Sequence, residues 1–108
     1  MKKTVAPIPP ISEDHVNQLA DILRLMGDAS RLKIIIACLE QPTCVSDIIE
    51  KVQLSQSLVS HHLRLLKATS LLNAKREGRQ IFYGVNGDVV RCILVDLMRH
   101  VSTPTKRS

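Results

Sequence analysis

Aromatic residues are nearly missing from this chain: no Trp, one Tyr (Tyr83) and one Phe (Phe82) in 108 residues. A core without rings must be aliphatic, and hydrophobic residues, mostly Leu, Ile and Val, make up 44 % of the sequence. Glycine is scarce too, present only at Gly27, Gly78, Gly84 and Gly87, which excludes the glycine-rich loops that cradle phosphates. No apolar run approaches the roughly 18 residues that span a bilayer. The opening Met-Lys-Lys-Thr-Val-Ala-Pro starts like a signal peptide but has no apolar stretch behind it, so a cytoplasmic location is expected. Three cysteines, Cys38, Cys44 and Cys92, cannot all pair within one chain, and none has a partner at zinc-knuckle spacing. They are expected as free thiols of a reducing compartment. No Ser/His/Asp or Cys/His set falls at a spacing that a helix would bring together, so no enzyme is expected.

Positive charge, by contrast, is present and unevenly placed within a formal net charge of +5. Between Ile11 and Leu54 four bases face seven acids, leaving that stretch three negative. Between Gln56 and Gln80, Arg64, Lys67, Lys75, Arg76 and Arg79 stand against Glu77 alone, with His61 and His62 in addition. Cationic charge gathered on one segment is the electrostatic footprint of a nucleic-acid binder. The alternative is an ordinary solvated face.

The order along the chain separates the two. Residues 1–11 hold three prolines and are read as a flexible arm, residues 12–102 as one domain, and residues 103–108 as a disordered tail. Ser12 offers a cap for a first helix carrying Val16, Leu19, Ala20, Leu23 and Met26, ended by Gly27. Asp28 caps a second helix with Leu32, Ile35, Ile36 and Leu39, running to the break at Pro42. Thr43 is expected to cap a short third helix with Val45, Ile48, Ile49 and Val52. Ser55 caps a fourth whose buried stripe is Val59, Leu63 and Leu66. Two short helices joined by Gln53 to Ser55 fit a helix-turn-helix. Leu71–Arg76 and Arg79–Val85 then read as strands flanking Glu77-Gly78, with Gly78 able to supply a positive φ. A basic-tipped hairpin directly after a helix-turn-helix makes a winged helix, mainly α with a small β-hairpin wing. Gly87 and Asp88 introduce a last helix with Val89, Val90, Ile93, Leu94, Leu97, Met98 and Val101. That stripe is wider than one small core requires, so the first and last helices of two chains are expected to pair in a homodimer.

With Val59, Leu63 and Leu66 turned inward, Gln56, Ser57, Ser60, His61 and Arg64 share another face of the fourth helix. Gln56 and Arg64 can make bidentate contacts to base edges, and the two serines and His61 can reach bases or phosphates. Ser55 and Gln56 present free N–H groups at the helix start. Lys75, Arg76 and Arg79 at the wing tip would meet backbone phosphate or the adjacent minor groove. His61 and His62 point about 100° apart and cannot share an ion; His61 is expected to face DNA and His62 to pack partly inward.

These features carry a resemblance to the ArsR/SmtB family of bacterial winged-helix repressors, through "LMGDASRLKIIIACLE", "CVSDIIEKVQLSQSLVSHHLRLLKATSLL" and "KREGRQIFYGV". It runs from about Asp14 to Val101. The resemblance implies a homodimer that sits on double-stranded operator DNA as a transcriptional repressor and leaves when an inducer binds. Half-sites would lie one helical turn apart, roughly 34 Å. The family's sensing sites carry over in fragments. The Cys-Val-Cys of one subgroup is here Cys44-Val45-Ser46. The zinc site between the last helices of another would use Gly87, Val89, His100 and Thr103, of which only His100 is a ligand. Cys38 lies two positions past the cysteine of a persulfide-sensing branch, about 200° around the helix, and Cys92 lies earlier than its partner cysteine.

One polar line belongs to this chain itself. Asp88, Cys92, Asp96 and His100 recur every fourth residue on the last helix. With Cys44, at a helix start that can lower a thiol's pKa, they are the effector candidates. The inducers considered are zinc or another thiophilic metal, a metalloid, or a thiol-reactive species, without an assigned ligand set. The same side chains have structural uses: Asp88 at the helix N-terminus, Asp96 paired with Arg99, Cys92 as a small hydrophobe. The competing readings are a winged-helix protein-interaction module and a family member without an inducer site.

Overall fold

The computed structural model describes residues 7–103. Its elements, in chain order, are α1 (Glu13–Met26), α2 (Ala29–Ala37), β1 (Thr43–Cys44), α3 (Val45–Val52), α4 (Gln56–Ala68), β2 (Leu72–Glu77), β3 (Gln80–Val85) and α5 (Asp88–Ser102). Three of the helices start on a side-chain cap that satisfies one of the free amides of the first turn. The Ser12 hydroxyl accepts from the His15 amide at 3.1 Å, the Asp28 carboxylate from the Arg31 amide at 3.0 Å, and the Ser55 hydroxyl from the Leu58 amide at 3.2 Å. These are the caps expected from the sequence. The arm and tail expected at the two ends lie outside the described residues up to residue 6 and from residue 104.

The fourth cap is different. Thr43 does not start α3; it pairs with Tyr83, and Cys44 with Phe82, in a short antiparallel ladder. The Thr43 hydroxyl donates instead to the carbonyls of Ala37 and Gln41, at 3.2 and 3.0 Å. Cys44 occupies the cap position of α3 without a side-chain cap bond. The resulting sheet has the order β1-β3-β2. The wing is therefore stitched to the start of the helix-turn-helix rather than projecting alone.

The hairpin also sits one residue from expectation. Glu77 pairs with Gln80, so Gly78 and Arg79 form the two-residue turn. Gly78 takes φ +65° while Arg79 stays at negative φ, the pattern of a II′ turn with glycine first. Arg79 thus stands on the turn and not in the strand.

The core is aliphatic, as the shortage of rings requires. Ile34, Ile35, Ile48, Val59, Leu63, Leu66 and Leu72 are almost wholly removed from water, and they join α2, α3, α4 and β2 in one cluster. The expected inward stripe of α4 is buried as read. On α2 the assignment shifts: Ile34 is buried and Ile36, expected inside, lies exposed. The helix stops at Ala37 rather than Pro42, because the Cys38 and Leu39 amides bond back three residues to Ile35 and Ile36 and tighten the last turn.

Two helices keep large apolar faces open. Val16, Leu19 and Leu23 on α1 and Val89, Ile93, Leu97 and Val101 on α5 are all about half exposed or more, and Val101 retains 78 % of its surface. Only Leu94 of α5 is fully buried. Among the described residues no helix is long and apolar enough to cross a membrane.

The interior cluster carries most of the stability. Ile48→Ala should cost about 2–5 kcal/mol through lost transfer energy and the cavity left behind. Urea denaturation of the variant and parent chains, compared at their midpoints, measures it.

Candidate nucleic-acid interface

The turn of the helix-turn-helix is closed by local chemistry. Gln53 ends α3 in the left-handed conformation, φ 59° and ψ 41°, and its side-chain amide donates to the Glu50 carbonyl at 2.7 Å. Leu54 follows, and Ser55 then caps α4. The Ser55 hydroxyl is engaged in that cap and lies 3.5 Å from the Ser57 hydroxyl, so its first task is to hold the helix start.

From that start α4 presents two faces. Val59, His62, Leu63 and Leu66 are buried. Gln56, Ser57, His61 and Arg64 are exposed, with Ser60 half-buried beside them. None of these five side chains is tied into an ion pair among the described residues. A stripe of short or flexible hydrogen-bonding groups on a rigid helix is what base edges in a major groove can meet.

The wing adds cations at its far end. Lys75, Arg76 and Arg79 are all exposed. Neighbouring strand residues project to opposite sides, so Lys75 and Arg76 flank the hairpin while Arg79 stands on its tip. The Arg76 guanidinium approaches the Gly78 carbonyl at 3.5 Å, a contact too long to hold it firmly.

His61 and His62 divide as expected. Their rings are 5.6 Å apart and tilted by 52°. His61 faces solvent, whereas His62 is 7 % exposed and its Nδ1 has no hydrogen-bond partner among the described residues. Burial holds the His62 pKa below the ordinary imidazole value, the Arg31 charge adds to this, and Asp28 opposes it. The Asp28 carboxyl is itself held low, chiefly by the Arg31 backbone amide it accepts from.

The thiol candidates separate by burial. Cys38 is almost wholly buried and its pKa is pushed up to about 12 by desolvation, so it stays a neutral thiol. Cys44, the expected reactive thiol, is also buried, 3.4 Å from the Ser46 hydroxyl and 3.8 Å from the Gln80 side-chain nitrogen. Its place beneath the wing obstructs the access that reactivity requires. Cys92 is the exposed one. Asp88, Asp96 and His100 are exposed with it along α5, and Asp96 lies 3.8 Å from Arg99, as its structural use anticipated. Four residues on successive turns stretch over about 18 Å of helix. Among the described residues no three His, Cys, Asp or Glu side chains are placed to hold a metal ion. Among the described residues of one chain, the candidate donors Asp88, Cys92, Asp96 and His100 do not converge on a metal centre.

One further feature was not legible in the sequence, a cavity between α2, α3 and α5 lined by Lys33, Lys51 and Arg91 among others. Its walls combine the neighbouring helices α2 and α3 with α5, which comes much later in the chain, and no spacing rule links them.

A helix-turn-helix, a stripe of free polar groups on its second helix and a cation-tipped hairpin together define a winged helix-turn-helix DNA-binding domain. The family model for bacterial regulatory proteins of the arsR family matches residues 28–73. The nodulation protein NolR of Rhizobium meliloti is 33 % identical over 94 residues, which cover 87 % of this chain and 77 % of NolR. A transcriptional repressor SmtB homolog of Synechocystis is 31 % identical over 91 residues, 84 % of this chain and 69 % of that protein. The solved structure of HlyU from Vibrio cholerae superposes with a TM-score of 0.74 at 26 % identity, covering 83 % of this chain and 97 % of that one. The chain belongs to the arsR family of winged helix-turn-helix transcriptional regulators.

His62 makes the seat of α4 sensitive to acid. A histidine whose folded pKa is lowered binds its proton more readily in the unfolded chain, so stability is lost as pH falls through the unfolded value of about 6.5. Thermal unfolding from pH 7.5 to 5 should show a falling midpoint in the parent and a flatter profile in His62→Gln. The depressed Asp28 carboxyl acts at lower pH, as it is protonated below the ordinary carboxylate range.

Proposed function

We propose that the chain is a sequence-specific transcriptional repressor that binds operator DNA as a homodimer and leaves it when an effector binds. The observation that carries this reading is the presence, in one module, of a capped helix with Gln56, Ser57, Ser60, His61 and Arg64 on its outward side and a hairpin with exposed cations at Lys75, Arg76 and Arg79. In this role Gln56 and Arg64 read base edges, Ser57, Ser60 and His61 contact bases or phosphates, and Lys75, Arg76 and Arg79 anchor the backbone. Ser55 contributes through the helix start it caps. The open apolar faces of α1 and α5 support the dimer, because a monomer would leave Val89, Ile93, Leu97 and Val101 in water. A twofold pair of recognition helices then meets two half-sites about 34 Å apart.

The DNA assignment is checked by titrating a selected duplex with three proteins across salt. Arg64→Ala should lose about 1–3 kcal/mol on the selected site and bind altered sites with less discrimination. Arg76→Ala should weaken all duplexes alike and reduce the salt slope by about 1. Duplex binding that is indifferent to salt between about 50 and 200 mM would favour a protein-interaction module instead.

The dimer assignment has its own readout. Leu97→Glu places a charge in the proposed interface and should convert the particle to single chains in sedimentation equilibrium, with a duplex affinity lower by more than an order of magnitude.

A further inference from the structure

The cavity between α2, α3 and α5 has a volume of about 990 Å³, at the upper end of the roughly 300–1,000 Å³ usual for small-molecule sites. Its walls are aliphatic, formed by Ile36, Leu39, Val52, Val95 and Met98, and hold no aromatic ring. Around them stand three cations, Lys33, Lys51 and Arg91, against one carboxylate, Glu40. The Arg91 guanidinium is only partly satisfied. Its Nη1 donates to the Leu39 carbonyl at 2.6 Å, while the buried Nε has no partner among the described residues.

We propose that this cavity is the effector site, and that it takes an alkyl carboxylate: a flexible aliphatic chain ending in one anionic head group. The excess of cations over the single carboxylate selects an anion, and a partly desolvated guanidinium gains most from a carboxylate that it can grip with two N–H groups. An aliphatic lining rewards burial of a methylene chain. Met98 adapts to an irregular chain, whereas a flat aromatic acid would find no ring to stack on.

The position of the cavity gives the ligand a consequence, which rests on the repressor reading. Lys51 and Val52 end α3, and Gln53 is the left-handed residue that sets the turn before the recognition helix. Arg91, Val95 and Met98 form one face of α5, roughly opposite the apolar stripe offered to the partner. A ligand wedged between α3 and α5 changes how the recognition helix sits relative to the twofold axis. It releases DNA to the extent that it prefers the non-docking arrangement.

Isothermal titration calorimetry of the full chain tests this, with sodium decanoate below its micellar range and without DNA. Decanoate should bind once per chain, while benzoate and decyltrimethylammonium show no saturable binding. The K33Q/K51Q variant, altered only at exposed side chains, should bind decanoate about tenfold more weakly, which corresponds to about 1.4 kcal/mol. Decanoate should also release the duplex from the parent protein at the concentrations at which it binds. Equal binding of decyltrimethylammonium, an unchanged affinity in K33Q/K51Q, or binding only at surfactant concentrations overturns the inference. So does a failure of decanoate to bind a chain that still holds duplex, whether the cavity stays empty or a second copy covers it. A chain that binds decanoate but no duplex at any salt would sink the repressor reading and leave the ligand site standing.

Discussion

Burial of a single aliphatic stripe on α4 against α2 and α3 is the constraint from which the remaining geometry follows. Val59, Leu63 and Leu66 leave water in one cluster with Ile34, Ile35, Ile48 and Leu72, and each such side chain contributes about 1.5–3 kcal/mol when fully buried. A helix has a fixed angular relation between its faces, so fixing that stripe also fixes where Gln56, Ser57, Ser60, His61 and Arg64 point. The recognition face needs no interactions of its own to be ordered. Its side chains remain free for a partner because the opposite side of the helix supplies the rigidity. His62 is the exception on the buried side, a polar ring with one unsatisfied nitrogen in a place where an aliphatic residue would pack more favourably. Its cost is tied to the same seat that holds the recognition helix, and this makes that seat responsive to protons.

The wing depends on a second, smaller device. An isolated two-stranded hairpin is marginal in water. Here β3 gains a partner on its other edge from Thr43 and Cys44, and Leu72 and Val85 at the base of the hairpin are buried in the domain. The same two residues lead directly into α3. The base of the wing is therefore tied to the start of the helix-turn-helix through this ladder.

Much of this was legible in the sequence because it is local. Ser12, Asp28 and Ser55 announce helix starts by chemistry that acts over three residues. Val59, Leu63 and Leu66 announce one face by a period that a single helix must obey. What escaped was set by contacts distant in the chain. Thr43 has the side chain of a helix cap, and only its pairing with Tyr83, forty positions later, makes it a strand residue. Ile34, Ile35 and Ile36 are chemically alike, so which of them faces inward depends on the helices that α2 meets. Arg79 reads as a strand residue until the positive φ of Gly78 places the turn one position later. The accessibility of the cysteines was out of reach for the same reason: Cys44 pairs with Phe82 and lies near Gln80 of the wing, contacts that its neighbours in sequence do not announce. The cavity between α2, α3 and α5 is the extreme case, since no two of its walls belong to one motif.

The last helix shows how one element can serve several purposes at once. Around α5, Arg91, Val95 and Met98 face the cavity, Val89, Ile93, Leu97 and Val101 form the open apolar stripe, and Asp88, Cys92, Asp96 and His100 run between the two. The members of the polar line are exposed and spread along the helix axis instead of converging. The cavity face and the open apolar stripe are therefore joined through the helix backbone and share no side chain. A helix displaced as a body by either event changes the other surface with it, and such mutual dependence is reciprocal in free energy. If the effector proposed against Arg91 lowers the affinity for DNA, docking on DNA lowers the affinity for that effector by the same factor.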